Sequence, residues 1–359
     1  LPAGHHPDTF LRTHGPAAFA ERIAAGTENV RAVLNELGVG QLSSIGGDGT
    51  TYAQYTRLGG GTLVAVDHPG VEGGLTLSYG EDLSGLDQFG RVTDVTWAVD
   101  GNTIDQYRYG YDKDSNRVFR ENTQTSELDE LYGYDALNRL VSAQRGDLNA
   151  GRTEIVSPVF TQDWTLDQLG NWAGFNDDGT AQERTVDAVN QLTAISTWND
   201  EPAYDAAGNM MRSPRPGPSN AAYGYVYDAW NRLVEVNDGE GPPQAIATYA
   251  YDGLNRRILE TATGGITHYF YNEEWQVLET RLGTSDVALD QYVWDVRYID
   301  APIVRFHDGN TDGTLDNTLY YTNDANMSVM ALVDAGTGEV VERYSYAPYG
   351  EATVYEEDW

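Results

Sequence analysis

YDAAGNMM from Tyr204, YDAWNRLVEV from Tyr227 and YDGLNRRILE from Tyr251 decide how this chain is read. Their aspartates, Asp205, Asp228 and Asp252, fall 23 and 24 residues apart. A short fixed period sets the architecture before any single residue is interpreted, because each copy is one unit that buries its apolar face only against its neighbours. Looser copies flank these three: LDQFGRV from Leu86, YDKDSNRV from Tyr111, YDALNRLV from Tyr134, LDQLGNW from Leu166, VDAVNQLT from Val186 and YNEEWQVL from Tyr271. Spacing between aspartates wanders from 18 to 32 residues. Insertion of turns or hairpins explains this, since lengthening a loop costs little free energy.

Within one copy the residue types dictate a reverse turn between two strands. In the Tyr227 copy a strand ends at the tyrosine and another starts at Arg232. Asp228 at the first turn position accepts backbone N–H groups as an Asx turn, and Asn231 tolerates the left-handed region. The same roles fall to Tyr111 and Asp112, to Tyr134, Asp135, Asn138 and Arg139, and to Tyr204, Asp205, Gly208 and Asn209. They fall again to Tyr251, Asp252, Asn255 and Arg256. A turn role repeats at every copy and catalysis does not, so these aspartates read as turn formers.

Composition agrees. The 359 residues include 24 Tyr, 8 Trp and 39 Gly, a mix suited to short strands and tight turns. The net charge is −33, and 21 of the 22 basic residues are Arg, Lys113 being the exception. So acidic a body repels phosphate backbones and anionic lipid, which excludes nucleic acid as a partner class. No apolar run reaches the length of a spanning helix, so no membrane insertion is expected. There is no cysteine, which leaves the compartment open. Leu1 is not a start methionine, and the chain reads as a piece of something longer.

Residues 1–40 differ in texture. Phe19 and Ile23 share a helical face, and Thr27 as N-cap with Val30, Val33, Leu34 and Leu37 predicts a short helix stopped by Gly38. This piece is expected to cap or plug the array. From residue 41 the pattern turns to strands, at 52–56, 62–66 and 75–79. The expected fold is all-β: a curled array of antiparallel β-hairpins with a short N-terminal helical segment. Its expected segments are the cap (1–40), an entry segment (41–85), the repeat array (86–300) and a closing segment (301–359).

The Tyr-Asp pattern resembles the YD repeats of the rearrangement-hot-spot (RHS) family, relatives of teneurins and of toxin-complex shells. A second signature supports this from Leu319 onward. Val329, Ala331, Leu332, Asp334, Gly338, Val340, Val341, Arg343, Tyr344, Tyr346, Pro348, Tyr349 and Gly350 match the RHS-associated core segment. Ala347 stands where many relatives carry Asp. The resemblance implies a strip of antiparallel sheet coiled into a shell around a variable C-terminal polypeptide. It also implies a secreted or cell-surface bacterial protein. The family's aspartate-dependent self-cleavage site is not in these residues.

The sharpest local constellation outside the repeat is DGNTDGTLD from Asp308. Asp308, Asn310, Asp312 and Asp316, with the carbonyl of Thr314, resemble the start of a calcium loop, although Leu319 sits where a bidentate Glu is expected. The alternative is an acidic Asx-turn loop. Trp172, Trp230, Trp275 and Trp294 are expected to pack between strands, with a sugar-binding platform as the other reading. Three functions follow. The first is a non-enzymatic scaffold enclosing or presenting its own C-terminal cargo or another polypeptide. The second is an adhesive or self-assembling module for glycans or proteins. The third, a glycoside hydrolase, needs two carboxylates roughly 5–10 Å apart in a cleft.

Overall fold

The computed structural model describes residues 35–37, 41–47, 49–59, 61–80, 82–215, 221–283 and 287–359. The described residues form twenty-eight strands and one 3-10 turn, Ser126–Leu128. Strands pair in chain order. The first fourteen, from Asn35–Leu37 to Leu192–Ile195, make one ladder; the rest, from Ala203–Tyr204 to Ala352–Tyr355, make a second. Every paired register is antiparallel, as direct hairpin connections require. The all-β expectation holds. The predicted helix does not hold over its last residues, because Asn35–Leu37 is a strand paired with Gln41–Gly47. A 3-4 spacing of apolar residues in so short a stretch is compatible with either period, and pairing decides. The remainder of residues 1–40 lies outside the described residues.

A register shift falls at the strand end before most Tyr-Asp turns: Tyr227 pairs with Leu233, Tyr251 with Arg257, Tyr204 with Met210. The extra residue is a bulge, which bends and twists the strand into its turn.

The chain forms two compact units. The first holds the described residues through Gly110, with Arg120–Leu128 and Phe270–Trp359; the second holds Tyr111–Phe119 and Asp129–Tyr269. In the first unit, burial alternates along Thr62–His68 and Asp94–Val99 with period two, so one face is a core face. That core joins strands distant in sequence. Leu75, Leu77, Val66, Val95, Trp97 and Tyr107 are fully buried, as are Ile303, Val304, Tyr320, Met330 and Val333. Trp97 Nε1 donates to the Asn323 carbonyl at 2.8 Å, and His68 stacks on Trp97 with its edge to Tyr320.

The second unit is built differently. Many of its strand residues are half-buried, as in Trp172–Asp177 and Leu233–Asn237. Guanidinium groups supply much of its lateral packing. Arg117 lies over Tyr132, Arg184 over Trp172, Arg215 over Tyr223, and Arg257 over both Tyr249 and Tyr269. A planar guanidinium stacks on a ring while staying hydrated at its edge, which an ammonium does less well. The preference for Arg over Lys has its physical use here.

Candidate functional site

The repeated turn is the most elaborated constellation in the chain. The Asp228 amide donates to the Arg232 carbonyl (2.9 Å) and the Asn231 amide donates to the Asp228 carbonyl (3.0 Å). Asp228 Oδ1 accepts the amides of Trp230 and Arg232, while Oδ2 accepts Arg232 Nε at 2.7 Å. Asp135 with Leu137 and Arg139, and Asp252 with Leu254 and Arg256, repeat this bond for bond. Where the fifth residue is Asn, its side-chain amide replaces the guanidinium: Asn209 Nδ2 donates to Asp205 Oδ2 at 2.8 Å, and Asn116 does the same to Asp112. The fourth residue is left-handed in each copy: Ser115, Asn138, Gly208, Asn231 and Asn255. This is the conformation Gly and Asn adopt at least cost.

The tyrosine has a separate duty. The Tyr134 hydroxyl donates to the Arg117 carbonyl, Tyr204 to Leu192, Tyr251 to Leu233 and Tyr346 to Val329. Each acceptor lies five residues after the aspartate of the preceding turn. Trp294 does the same with its indole, donating to Val277 five residues after Asn272. Successive turns are also tied directly in the second unit. Asn116 donates to Asn138, Arg139 to the Asp167 carbonyl, Asn171 to Asn190, Asn209 to Asn231, and Arg232 to the Asp252 carbonyl. The turns therefore form a ladder of their own along the connections from odd to even strands.

These carboxylates are wrong for acid–base chemistry. Hydrogen bonds hold Asp135 and Asp205 below the usual carboxylate range, the Arg139 backbone N–H contributing most at Asp135 and the Asn209 side chain most at Asp205. A general acid needs the opposite shift. Asp105 is raised to about 6 by burial, with Arg343 opposing, yet its side chain is fully buried. No substrate reaches it there, so the paired carboxylates a glycosidase requires are not supplied by this group.

The Asp252 turn gives a direct test. Burial pushes its carboxyl up, but bonds from the Arg256 backbone and guanidinium and from Leu254 outweigh it, and the net shift is down. A depressed carboxyl stabilises above its ordinary value, and that contribution is lost as pH falls through the lowered value. In Asp252→Ala the amides of Leu254 and Arg256 are expected to exchange roughly tenfold faster at neutral pH, with the difference vanishing in acid. Equal exchange at neutral pH would show that backbone geometry alone makes the turn.

The core-signature residues behave individually. Asp334 caps its own turn, accepting the amides of Gly336 and Thr337. Gly338 is left-handed, and a Cβ there would meet the Glu72 carbonyl oxygen at 2.5 Å, so only glycine fits. Tyr344 hydrogen-bonds Glu342. Pro348, Tyr349 and Gly350 lie in a turn closed by the Ala347 amide on Glu351 and the Gly350 amide on Ala347, so the turn forms without its aspartate. Arg343 is the hub. It donates to Asp105 Oδ1 (2.6 Å), to the Ile104 carbonyl (3.3 Å) and to the Glu357 carbonyl (3.0 Å), and lies over the Trp359 ring.

In the loop at 308–316, Asp308 accepts the amides of Asp312 and Gly313, and Asn310 Oδ1 also accepts the Asp312 amide. Asp312 Oδ1 accepts the Thr314 amide, and Asp316 accepts the Gly309 amide and Asn310 Nδ2. The oxygens face backbone amides, and among the described residues no cluster of three or more His, Cys, Asp or Glu is arranged to hold a metal. The geometry favours the Asx-turn reading.

Two of the four tryptophans expected to pack between strands do not. Trp230 is 73 % exposed and Trp275 54 %, because both occupy turn tips. Sequence reading also missed Asp295, fully buried, which accepts the Tyr55 hydroxyl (2.9 Å) and Arg297 Nε (2.5 Å). A Trp-Asp pair in the phase of the Tyr-Asp repeat was the available signal.

Antiparallel hairpins in two ladders, cross-tied by tyrosines and aspartate turns, define a β-hairpin repeat scaffold. The Teneurin YD-shell family model matches residues 78–357, and the chain belongs to that family. Solved structures agree in fold. The Photorhabdus luminescens Tc holotoxin pore, with a substitution in TccC3, superposes with TM-score 0.65 at 17 % identity, over 89 % of this chain and 17 % of that one. The TcdB2-TccC3 crystal structure superposes with TM-score 0.64 at 16 % identity and the same coverage. Among curated proteins, the tRNA3(Ser)-specific nuclease WapA of Bacillus spizizenii is 26 % identical over 196 residues, and the tRNA nuclease WapA of Bacillus subtilis 27 % over 197. Each match covers 53 % of this chain but only 8 % of the relative's length.

Proposed function

We propose that this chain is the wall of a non-enzymatic bacterial YD-shell, secreted or displayed at the cell surface, that encloses or presents a polypeptide. The observation that carries this reading is the turn ladder of the second unit. It spends the most regular chemistry among the described residues on holding strand to strand. Toxin-complex relatives of the same fold support a polypeptide as the cargo class. The nuclease names belong to WapA proteins of which this chain matches a small part, and its charge of −33 disfavours an RNA substrate. Among the described residues no helix is long and apolar enough to cross a membrane.

A protease-sensitive polypeptide fused after Trp359 provides the test. Enclosure expects the fusion to survive trypsin that digests the free polypeptide, with a scattering profile indifferent to calcium. Digestion at the free rate leaves presentation without enclosure. A calcium-dependent change in size would restore the 308–316 loop as a metal site.

A further inference from the structure

The third residue of six successive turns points outward, between the 112–116 turn, which carries Lys113 and Asp114 at its tip, and the 272–276 turn, which carries Glu273 and Glu274. Leu137, Leu169, Val189, Trp230 and Leu254 are each 61–76 % exposed. Single exposed hydrophobics are ordinary on a protein surface. The regularity here is not. The three tip positions of six successive turns read ALN (136–138), QLG (168–170), AVN (188–190), AAG (206–208), AWN (229–231) and GLN (253–255). None of these eighteen positions is charged, although at the chain's 21 % they would hold about four charges. The turn aspartates behind them face inward, each engaged by its own turn's amides and, in most copies, the fifth residue's side chain.

The six turns are contiguous. Four of the joins are the hydrogen bonds given above, and at the fifth a Cβ on Gly208 would lie 3.3 Å from Gln191 Nε2. Within a ladder, turns on alternate strands stand about 9.6 Å apart. The first three tips belong to one ladder and the last three to the other, and the six together extend on the order of 48 Å.

We propose that this neutral, apolar row is a self-association edge on which a second copy of this chain docks. A row of knobs with a fixed step needs a partner with the same step, and a second copy has it by construction. Antiparallel, two-fold pairing sets the tips of one row between those of the other and closes at a dimer. Charge selects the same place. Two bodies of −33 repel wherever their acidic surfaces approach, and the tips of this row carry no carboxylate, the Arg232 guanidinium lying over the Trp230 ring being a cation. A strip about 48 Å by 10 Å buries on the order of 500 Å² per copy, so the dimer is weak and reversible. The proposal does not depend on any enclosed cargo.

Salt separates this edge from a charge-matched one. Mass photometry and sedimentation of the full chain are expected to show monomer at about 0.1 M NaCl and dimer at about 1 M, as screening removes the repulsion. The triple variant Leu169→Glu, Trp230→Glu, Leu254→Glu is expected to weaken association at least tenfold at high salt. Leu169→Gln with Trp230→Gln weakens it less and guards against a folding artefact, and Val159→Glu, exposed on a strand elsewhere, leaves it unchanged. A wild-type chain that stays monomeric in high salt overturns the proposal, as does a dimer that tolerates the triple variant.

Discussion

Arg343→Met is expected to destabilise the chain by about 3–5 kcal/mol at neutral pH, because it strands a buried carboxylate. Asp105 is fully exposed to the loss: its side chain has no solvent contact, and the Arg343 bond at 2.6 Å is its direct ionic partner. Methionine keeps the apolar stem and removes only the charge and its donors. The bonds to Ile104 and Glu357 go too, so residues 357–359 are expected to exchange faster. The pH dependence follows from Asp105. Burial, with Arg343 opposing, raises it from 3.8 to about 6, so the native state binds this proton more tightly than the unfolded chain. Its stability contribution is greatest below the ordinary value and declines as pH rises from about 4 to about 6. Without Arg343 the carboxyl rises further and is protonated more readily, so the variant's deficit should shrink in mild acid. Urea midpoints at about pH 5 and pH 7.5 read this out; a deficit under about 1 kcal/mol, equal at both, would mean the pair is solvated and not structural.

How much of this was legible follows from distance along the chain. The turn was readable because every group in it lies within five residues: Asp228, the amides it accepts, the left-handed Asn231 and the Arg232 guanidinium are one local event. Trp230 and Trp275 were misplaced for a related reason. They were assigned by strand packing, whereas their position within the turn sends them outward. The buried pairs were not legible at all. Arg343 and Asp105 lie 238 residues apart, Tyr55 and Asp295 240, and Trp97 and Asn323 226. No composition or period records which hairpin of one ladder faces which hairpin of the other. In the 308–316 loop, alternating oxygen ligands suit calcium and Asx turns equally, and only the direction of the amides distinguishes them.

Asp295→Leu is expected to cost about as much as the loss of Arg343, roughly 3–5 kcal/mol, and for the complementary reason. There a carboxylate is stranded; here it is a cation. Arg297 is nearly buried, with Nε on Asp295 Oδ2 and its backbone amide on Oδ1, and its Nη1 reaches the Tyr79 hydroxyl at 3.4 Å. Leucine leaves the guanidinium without a counter-ion and the Tyr55 hydroxyl without an acceptor. Asp295→Asn retains an oxygen for Tyr55 and the shape of the turn, so it should cost less, about 1–3 kcal/mol. Tyrosine ionisation supplies a second readout. Burial first, and then the Asp295 charge, hold the Tyr55 hydroxyl far above its ordinary value, so Asn at 295 should bring its ionisation down. If Leu and Asn prove equally mild, apolar packing around Tyr55 and Tyr79 carries the junction and the charge is incidental. If Leu is much the worse, the first unit is pinned by two ion pairs of opposite exposure to error. Arg343 reaches Asp105 directly across 238 residues, whereas the Asp295–Arg297 pair lies within one late hairpin and reaches the early strands through the hydroxyls of Tyr55 and Tyr79; that is how a ladder of purely local turns acquires long-range register.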